Sequence, residues 1–411
     1  MGPIERAWAK GVSRRRALLS LGAAFTAPSV LRAQLDPRPL SEHRRFPGLH
    51  EMREVFDFEP ICFANIPHHS YDSMARGSGS EWTLRRNRIV FDWVEIVERP
   101  GTAAESVDAS TELFGVRMRY PILIAPSGNH GVLHPSGEKG TYEGATAAGA
   151  VMTVAGPASF PFPEIAAAAD GPLWQQIYAD EDLEANRAWL RMLEDSGASA
   201  IFLTVDSRTR TDAQYDRALH SRWLGGSPPS PAPARSAGAG TGRPPSRPPG
   251  PAAYDVTQNR LWYNWEHSAR VRDLTSLPVA VKGILTAEDA RRCVELGFDG
   301  IVVSNHGGRT LDYASSSLEV LPGIVEAVGG RIPVLVDSGF RRGSDVFKAL
   351  ALGADVVCLG RAARWGLGAF GSAGVQRVLE IMQTELRDAM ARAGRRNLAA
   401  IDRTAVRTDF A

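Results

Sequence analysis

The sequence predicts an α/β protein folded as a (β/α)8 TIM barrel with an N-terminal helical layer. Eight short apolar runs follow one another along the chain, most of them separated by stretches of helical period, which implies parallel strands joined by helices. The last three runs end in polar, glycine-rich clusters, and in such a barrel the loops after the strands form one face. A chain of 411 residues, 44% of them hydrophobic, accommodates one barrel of about 250 residues or more with additions.

The predicted strands are Ile122–Ala125, Val151–Ala155, Leu173–Tyr178, Ala200–Asp206, Val279–Lys282, Gly300–Ser304, Pro333–Asp337 and Asp355–Leu359. Helical spacing fills Leu183–Ser196, Ala287–Leu296 and Ser344–Leu352, with Thr286 and Ser344 suited to N-caps. A helical layer around Pro67–Arg88 precedes the barrel, and a last helix over about Gly374–Ala393 packs outside it. Residues 225–253 are almost wholly Pro, Gly, Ser, Ala and Arg. Such a stretch buries too little apolar surface to offset its ordering entropy, so a disordered insertion is expected after the fourth strand.

Charge is balanced, 47 basic residues against 46 acidic for a net +1, which gives no reason to expect nucleic acid as a partner. Cys62, Cys293 and Cys358 are too widely spaced for a CxxC motif; the last two fall on a predicted helix and strand and read as buried, inert thiols. Ser13-Arg14-Arg15-Arg16-Ala17-Leu18-Leu19 opens an apolar run reaching Leu31, too short and interrupted to serve as a transmembrane anchor. The segment is similar to a twin-arginine export signal, so periplasmic export is expected. The domain reading is a signal at 1–33, an extension at 34–65, a catalytic domain at 66–399 and a tail at 400–411.

The chemistry concentrates where the sixth strand stops, at Ser304-Asn305-His306-Gly307-Gly308-Arg309-Thr310-Leu311-Asp312. A proton acceptor, His306, and a fixed cation, Arg309, stand three residues apart, with two glycines that let the backbone bend. The seventh strand ends in Asp337-Ser338-Gly339-Phe340-Arg341-Arg342-Gly343 and the eighth in Gly360-Arg361.

These stretches resemble the FMN-dependent α-hydroxy acid oxidase and dehydrogenase family, which includes glycolate oxidase, lactate oxidase and mandelate dehydrogenase. The likeness is carried by Glu81-Trp82-Thr83-Leu84 with Asn87, Pro121-Ile122-Leu123-Ile124-Ala125-Pro126, His134-Pro135 with Gly137-Glu138, Leu203-Thr204-Val205-Asp206, Val281-Lys282-Gly283 and the 304–312 block. It continues through Arg341-Arg342-Gly343 and Asp345–Ala354, and runs from about Ile66 to about Ala399.

The resemblance implies FMN as cofactor and oxidation of a small 2-hydroxy acid by hydride transfer to the flavin, with an unidentified electron acceptor and often a homotetramer. His306 is then the base, Asp206 holds the imidazolium, Arg309 grips the carboxylate and Tyr178 donates to a substrate oxygen. Lys282 faces the charge of the reduced flavin, and Gln176, Thr204 and Ser304 line the ring with Pro126-Ser127-Gly128. Asp337 reaches the ribityl hydroxyls, and Gly339, Arg341, Gly360 and Arg361 form the phosphate site. Three family features are missing: a substrate tyrosine falls on Ser73, a serine near the flavin on Ala155, and a Gly-Arg-Arg is replaced by Ser207-Arg208-Thr209-Arg210. Two other readings share the barrel: an exported flavoprotein with an altered or lost substrate site, and an isomerase resembling type 2 isopentenyl diphosphate isomerase. His306 with Arg309 argues against the isomerase.

Overall fold

The structure, a computed structural model, describes residues 47–102, 106–206 and 264–410. The expected export signal, the insertion at 225–253, and Arg208 and Arg210 lie outside these residues. Every element named here belongs to one compact unit, Leu49–Ala411.

Eight parallel strands close into a barrel in chain order: β1 (Ile122–Ile124), β2 (Met152–Val154), β3 (Leu173–Ile177), β4 (Ile201–Thr204), β5 (Val279–Ile284), β6 (Gly300–Val303), β7 (Val334–Val336) and β8 (Val356–Leu359). Each falls within two residues of its predicted place. Side chains alternate across a strand, so one parity faces the barrel axis and the other the helices. The inward set is Leu123, Trp174, Phe202, Ala280, Val302, Leu335, Val356 and Cys358, and the outward set includes Ile122, Ile124, Ile201, Leu203, Ile301 and Val303. Trp174 packs against Phe202 at 5.6 Å and Phe114 at 5.4 Å. An antiparallel ribbon, Thr111–Leu113 with Val116–Met118, adds Leu113 and Met118 to this interior. Phe114 at its turn lies against Gly300, where β6 begins, so the ribbon seals the N-terminal end of the barrel. Chemistry is left to the other end.

The helices follow their capping residues. α1 (Phe58–Asn65) lies in the stretch read as an extension, and α2 (His68–Ala75) and α3 (Trp82–Ile89) form the expected N-terminal layer. In α8 (Ala287–Glu295), counting α4 (Gly137–Ala147), α5 (Phe162–Ala166), α6 (Leu183–Asp195) and α7 (Trp265–Arg272) before it, Thr286 accepts the Asp289 N–H at 3.1 Å, the predicted N-cap. After α9 (Ser317–Val328), α10 (Gly343–Ala351) departs from expectation: it starts before Ser344, with Arg342 at the cap position. The Asp345 carboxylate replaces a capping hydroxyl by accepting the N–H groups of Arg341 (2.9 Å) and Arg342 (3.0 Å). The last helix also differs. α11 (Arg361–Arg392) begins directly after β8 instead of near Gly374, and is kinked at Phe370 and Gly371. Its glycines mask the helical period because the two halves meet closely: a Cβ on Gly366 would stand 2.6 Å from the Gly374 carbonyl oxygen.

The unit extends beyond the predicted 66–399 limits. α1 packs on α11 with Phe58 edge-on to Phe370 at 6.0 Å, and Val406–Thr408 pairs antiparallel with Val94–Ile96. Among the described residues no helix is long and apolar enough to cross a membrane.

β5 carries a bulge between Lys282 and Ile284, where Gly283 takes φ +117°, a conformation that L side chains rarely adopt. A Cβ there would also stand 2.6 Å from that of Asp206. Gly283→Ala should therefore destabilise the fold by more than about 1 kcal/mol in chemical denaturation. Gly323→Ala, in the open interior of α9, should stabilise it by about 0.5–1 kcal/mol. Equal midpoints for the two variants would contradict this account of the bulge.

Candidate active site

The inward parity that buries Val302 continues past the end of β6 to Ser304 and His306. His306 has φ +58°, in the left-handed region that a non-glycine residue rarely occupies. Two bonds hold it there. Its N–H donates to Ser304 Oγ at 3.0 Å, and its Nδ1 lies 2.8 Å from Asp206 Oδ1. The His306 side chain is 27% exposed and that of Asp206 12%, so the ring is reachable while its partner is sheltered. Burial by itself raises the Asp206 carboxyl, but the charges of His306 and Lys282 outweigh it and hold the group below the ordinary aspartate value.

Lys282 is level with Thr204 on β4 and Val302 on β6, and points inward. It is 3% exposed, and its Nζ donates to Ser304 Oγ at 2.9 Å and pairs with Asp337 Oδ2 at 3.3 Å. Burial lowers its pKa, but Asp337, Asp206 and Tyr178 more than offset this and raise it to about 12. Asp337 accepts the Ser338 hydroxyl at 2.7 Å, and Ser338 Oγ accepts the Gly307 N–H at 3.1 Å. One chain of bonds thus joins the ends of β4, β5, β6 and β7.

Four guanidinium groups gather beside this network. Arg361 uses Nε on the Met74 carbonyl, Nη2 on that of Arg76 and Nη1 on that of Gly307, each at 3.0 Å. Arg309 Nη1 reaches the same Met74 and Arg76 carbonyls at 3.2 and 3.1 Å. These carbonyls end α2, where the helix dipole is negative and attracts cations. Arg341 stacks on Trp365 at 4.4 Å, and Arg364 donates to the Gly128 carbonyl at 2.6 Å. Burial, then Arg309, Arg341 and Arg364, lower the Arg361 pKa to about 9; burial, then Arg88, lower that of Arg341 to about 10, and burial, then Arg309, that of Arg364 to about 10. All three remain cationic at neutral pH. Such crowding of like charge is costly unless an anion joins it.

Around the rim, Gln176 Oε1 accepts the Gly156 N–H at 2.9 Å, and Ser127 Oγ lies 2.8 Å from Nε2 of the buried His130. Gly360 stands at the N-cap of α11 with open space beside it, where helix N–H groups favour anions. Gly339 (φ +94°) packs against the Asn87 carbonyl. Asn87 and Asn305 exchange amide bonds at 2.9 and 2.7 Å, and Asp312 accepts the N–H and hydroxyl of Ser80, both at 2.6 Å. These contacts fasten the N-terminal layer over the mouth.

The donor set fits FMN. Gln176 Nε2, Thr204 Oγ1, Arg341 Nε and Arg364 Nε are buried without a hydrogen-bond partner among the described residues, an expensive state for a polar group. Arg341 and Arg361 would hold the phosphate, and Gln176, Thr204 and Lys282 the ring. All predicted site residues in the described strands converge on this mouth: Asp206 with His306, Lys282 with Ser304 and Asp337, Arg309 with Arg361. Tyr178 continues the inward parity of Trp174 and Gln176 at the end of β3, and Pro126-Ser127-Gly128 leads away from β1. Arg364, His130, Ser338 and Asn305 were not among the candidates. Asn305 sits inside the most informative motif, so its placement was the available signal; Arg364 had none.

Residues 62–408 match the family model described as FMN-dependent dehydrogenase. Glycolate oxidase 3 of Arabidopsis thaliana is 37% identical over 365 residues, covering 88% of this chain and 97% of its own. Glycolate oxidase of Spinacia oleracea is 37% identical, covering 88% and 97%. The crystal structure of mandelate oxidase with (S)-2-phenylpropionate superposes with a TM-score of 0.72 at 34% identity, covering 87% of this chain and 99% of that one. With the same barrel, a mouth built to receive an anionic flavin and a match across nearly the whole described unit, the chain belongs to the FMN-dependent dehydrogenase family.

Proposed function

We propose that the protein oxidises a 2-hydroxy acid to the 2-oxo acid, with Asp206–His306 as the proton-accepting pair. The 2.8 Å bond between them, beside Arg309 and the buried Lys282, is the observation that carries this reading. Glycolate oxidases and a mandelate oxidase among its relatives support the substrate class.

Bound FMN supplies the hydride acceptor. The residues supply the rest. Asp206 occupies Nδ1 of His306, so Nε2 is the nitrogen that takes the substrate hydroxyl proton, and the carboxylate stabilises the imidazolium that results. Arg309 receives the substrate carboxylate as a planar fork, and Tyr178 donates to the second oxygen centre. Lys282 keeps a fixed positive charge at the end of β5, held by Asp337 and Ser304. Ser73, on the exposed face of α2, stands next to Met74, whose carbonyl anchors Arg309. Mixing the flavin-loaded protein with a panel of 2-hydroxy acids under anaerobic conditions tests the reading: bleaching of the flavin band supports it, and a flavin that no member reduces overturns it.

Two predictions follow from these roles, and a third concerns location. His306→Gln should retain FMN but slow anaerobic flavin reduction by ~10²–10⁴-fold, the contribution of a general base; an unchanged rate in stopped flow would remove the base. Ser73→Tyr should lower KM for lactate roughly fivefold, the equivalent of one net hydrogen bond of about 1 kcal/mol. A raised KM would mean that the phenol obstructs this pocket. For localisation, we propose export by the twin-arginine route from the residues around Arg14 and Arg15. Changing both to Lys should leave flavin-loaded protein in the cytoplasm on cell fractionation, and an undiminished periplasmic yield would exclude that route.

A further inference from the structure

Two like-charged guanidinium groups rarely share acceptors, yet Arg309 and Arg361 both donate to the carbonyls of Met74 and Arg76, at 3.0 to 3.2 Å. Each carbonyl oxygen has two lone pairs, so both donors fit. The repulsion remains. Arg361 commits three of its five N–H groups to backbone carbonyls, so two would remain for a phosphate held near the N-terminus of α11. Its third carbonyl belongs to Gly307, between His306 and Arg309 in the chain. A Cβ on Gly307 would stand 2.8 Å from Arg361 Nη1, and its φ is +67°. Glycine at that position is what lets the guanidinium approach the loop that carries both the base and the carboxylate-binding arginine.

We propose that Arg361 is a positioning residue for Arg309, transmitting the presence of the cofactor phosphate to the substrate-carboxylate site through the carbonyls that the two arginines share. The inference rests on the reading of Arg309 as the carboxylate fork and of Arg361 as a phosphate contact. A phosphate dianion on the two remaining N–H groups of Arg361 offsets the charge that repels Arg309. It thereby favours the arrangement in which both guanidinium groups stay on the end of α2. Arg309 is then held in place before the substrate arrives, and the two sites bind with positive coupling. The Gly307 contact adds a second route, because the same guanidinium steadies the loop between His306 and Arg309. Arg364, which bonds Gly128 and no residue of α2, has no part in this link.

The test measures binding of oxalate, a carboxylate that the site cannot oxidise, from the change it causes in the flavin absorbance. Three samples are compared: wild-type protein with FMN, Arg361→Lys with saturating FMN, and wild-type protein loaded with riboflavin, which lacks the phosphate. A lysine keeps the charge but offers one compact ammonium that cannot hold three carbonyls and a phosphate together. The coupling predicts that oxalate binds the second and third samples roughly tenfold more weakly, within the usual range for linked sites, with circular dichroism showing Arg361→Lys folded. Oxalate affinity equal to wild type in Arg361→Lys overturns the coupling and leaves the reading of Arg309 standing. Failure of oxalate to bind the wild-type FMN form overturns both. If riboflavin is not retained, Arg361→Lys decides alone.

Discussion

A lysine that is 3% exposed lies at the end of β5, and the mouth of the barrel is arranged to keep it charged. An ammonium group in so dry a place must be paired and hydrogen-bonded or lose its proton. Asp337 on the β7 side and Ser304 on the β6 side meet that demand. The same Ser304 hydroxyl accepts the His306 N–H, which helps to hold the histidine in its left-handed backbone, and Asp206 fixes the imidazole from the β4 side. Removing the lysine charge would leave Asp337 buried and unpaired, a change that commonly costs about 3–5 kcal/mol. The ammonium at β5 and the imidazole at β6 are therefore held by one network.

The second organising feature is the collection of arginines. Arg309 and Arg341 come from the loops after β6 and β7, and Arg361 and Arg364 from the first turn of α11; burial, then repulsion from neighbouring arginines, lowers the pKa values of the last three. Backbone carbonyls absorb part of the charge, notably the end of α2 and the Gly307 and Gly128 peptides. The carbonyls at the end of α2 hold Arg309 through the backbone, whatever side chain stands at Ser73.

Much of this was legible in the sequence because parity is local. Once Val302 faces inward, Ser304 and His306 must follow, and the same holds for Trp174, Gln176 and Tyr178, or Phe202, Thr204 and Asp206. Eight apolar runs in series sufficed for the barrel, and Thr286 sufficed for its helix. The failures have equally physical causes. Ser344 was the better capping residue by type, but Asp345 could satisfy two N–H groups from inside the helix. α11 hid its first half because glycines that serve close helix packing carry no apolar period. Arg364, the Asn87–Asn305 exchange and the carbonyls shared by Arg309 and Arg361 link positions about 220 or more residues apart, and no local pattern reports such pairs.

The buried charge of Lys282, if it is set against the flavin ring, should favour the reduced, anionic state of that ring. The midpoint potential of the bound flavin in Lys282→Met, compared with wild type, measures that claim most directly. The potential should move to a more negative value while circular dichroism shows the barrel intact. An unchanged potential in a folded, FMN-loaded variant would mean that Lys282 serves only the packing of the barrel mouth, and the role given to the network around it would be wrong.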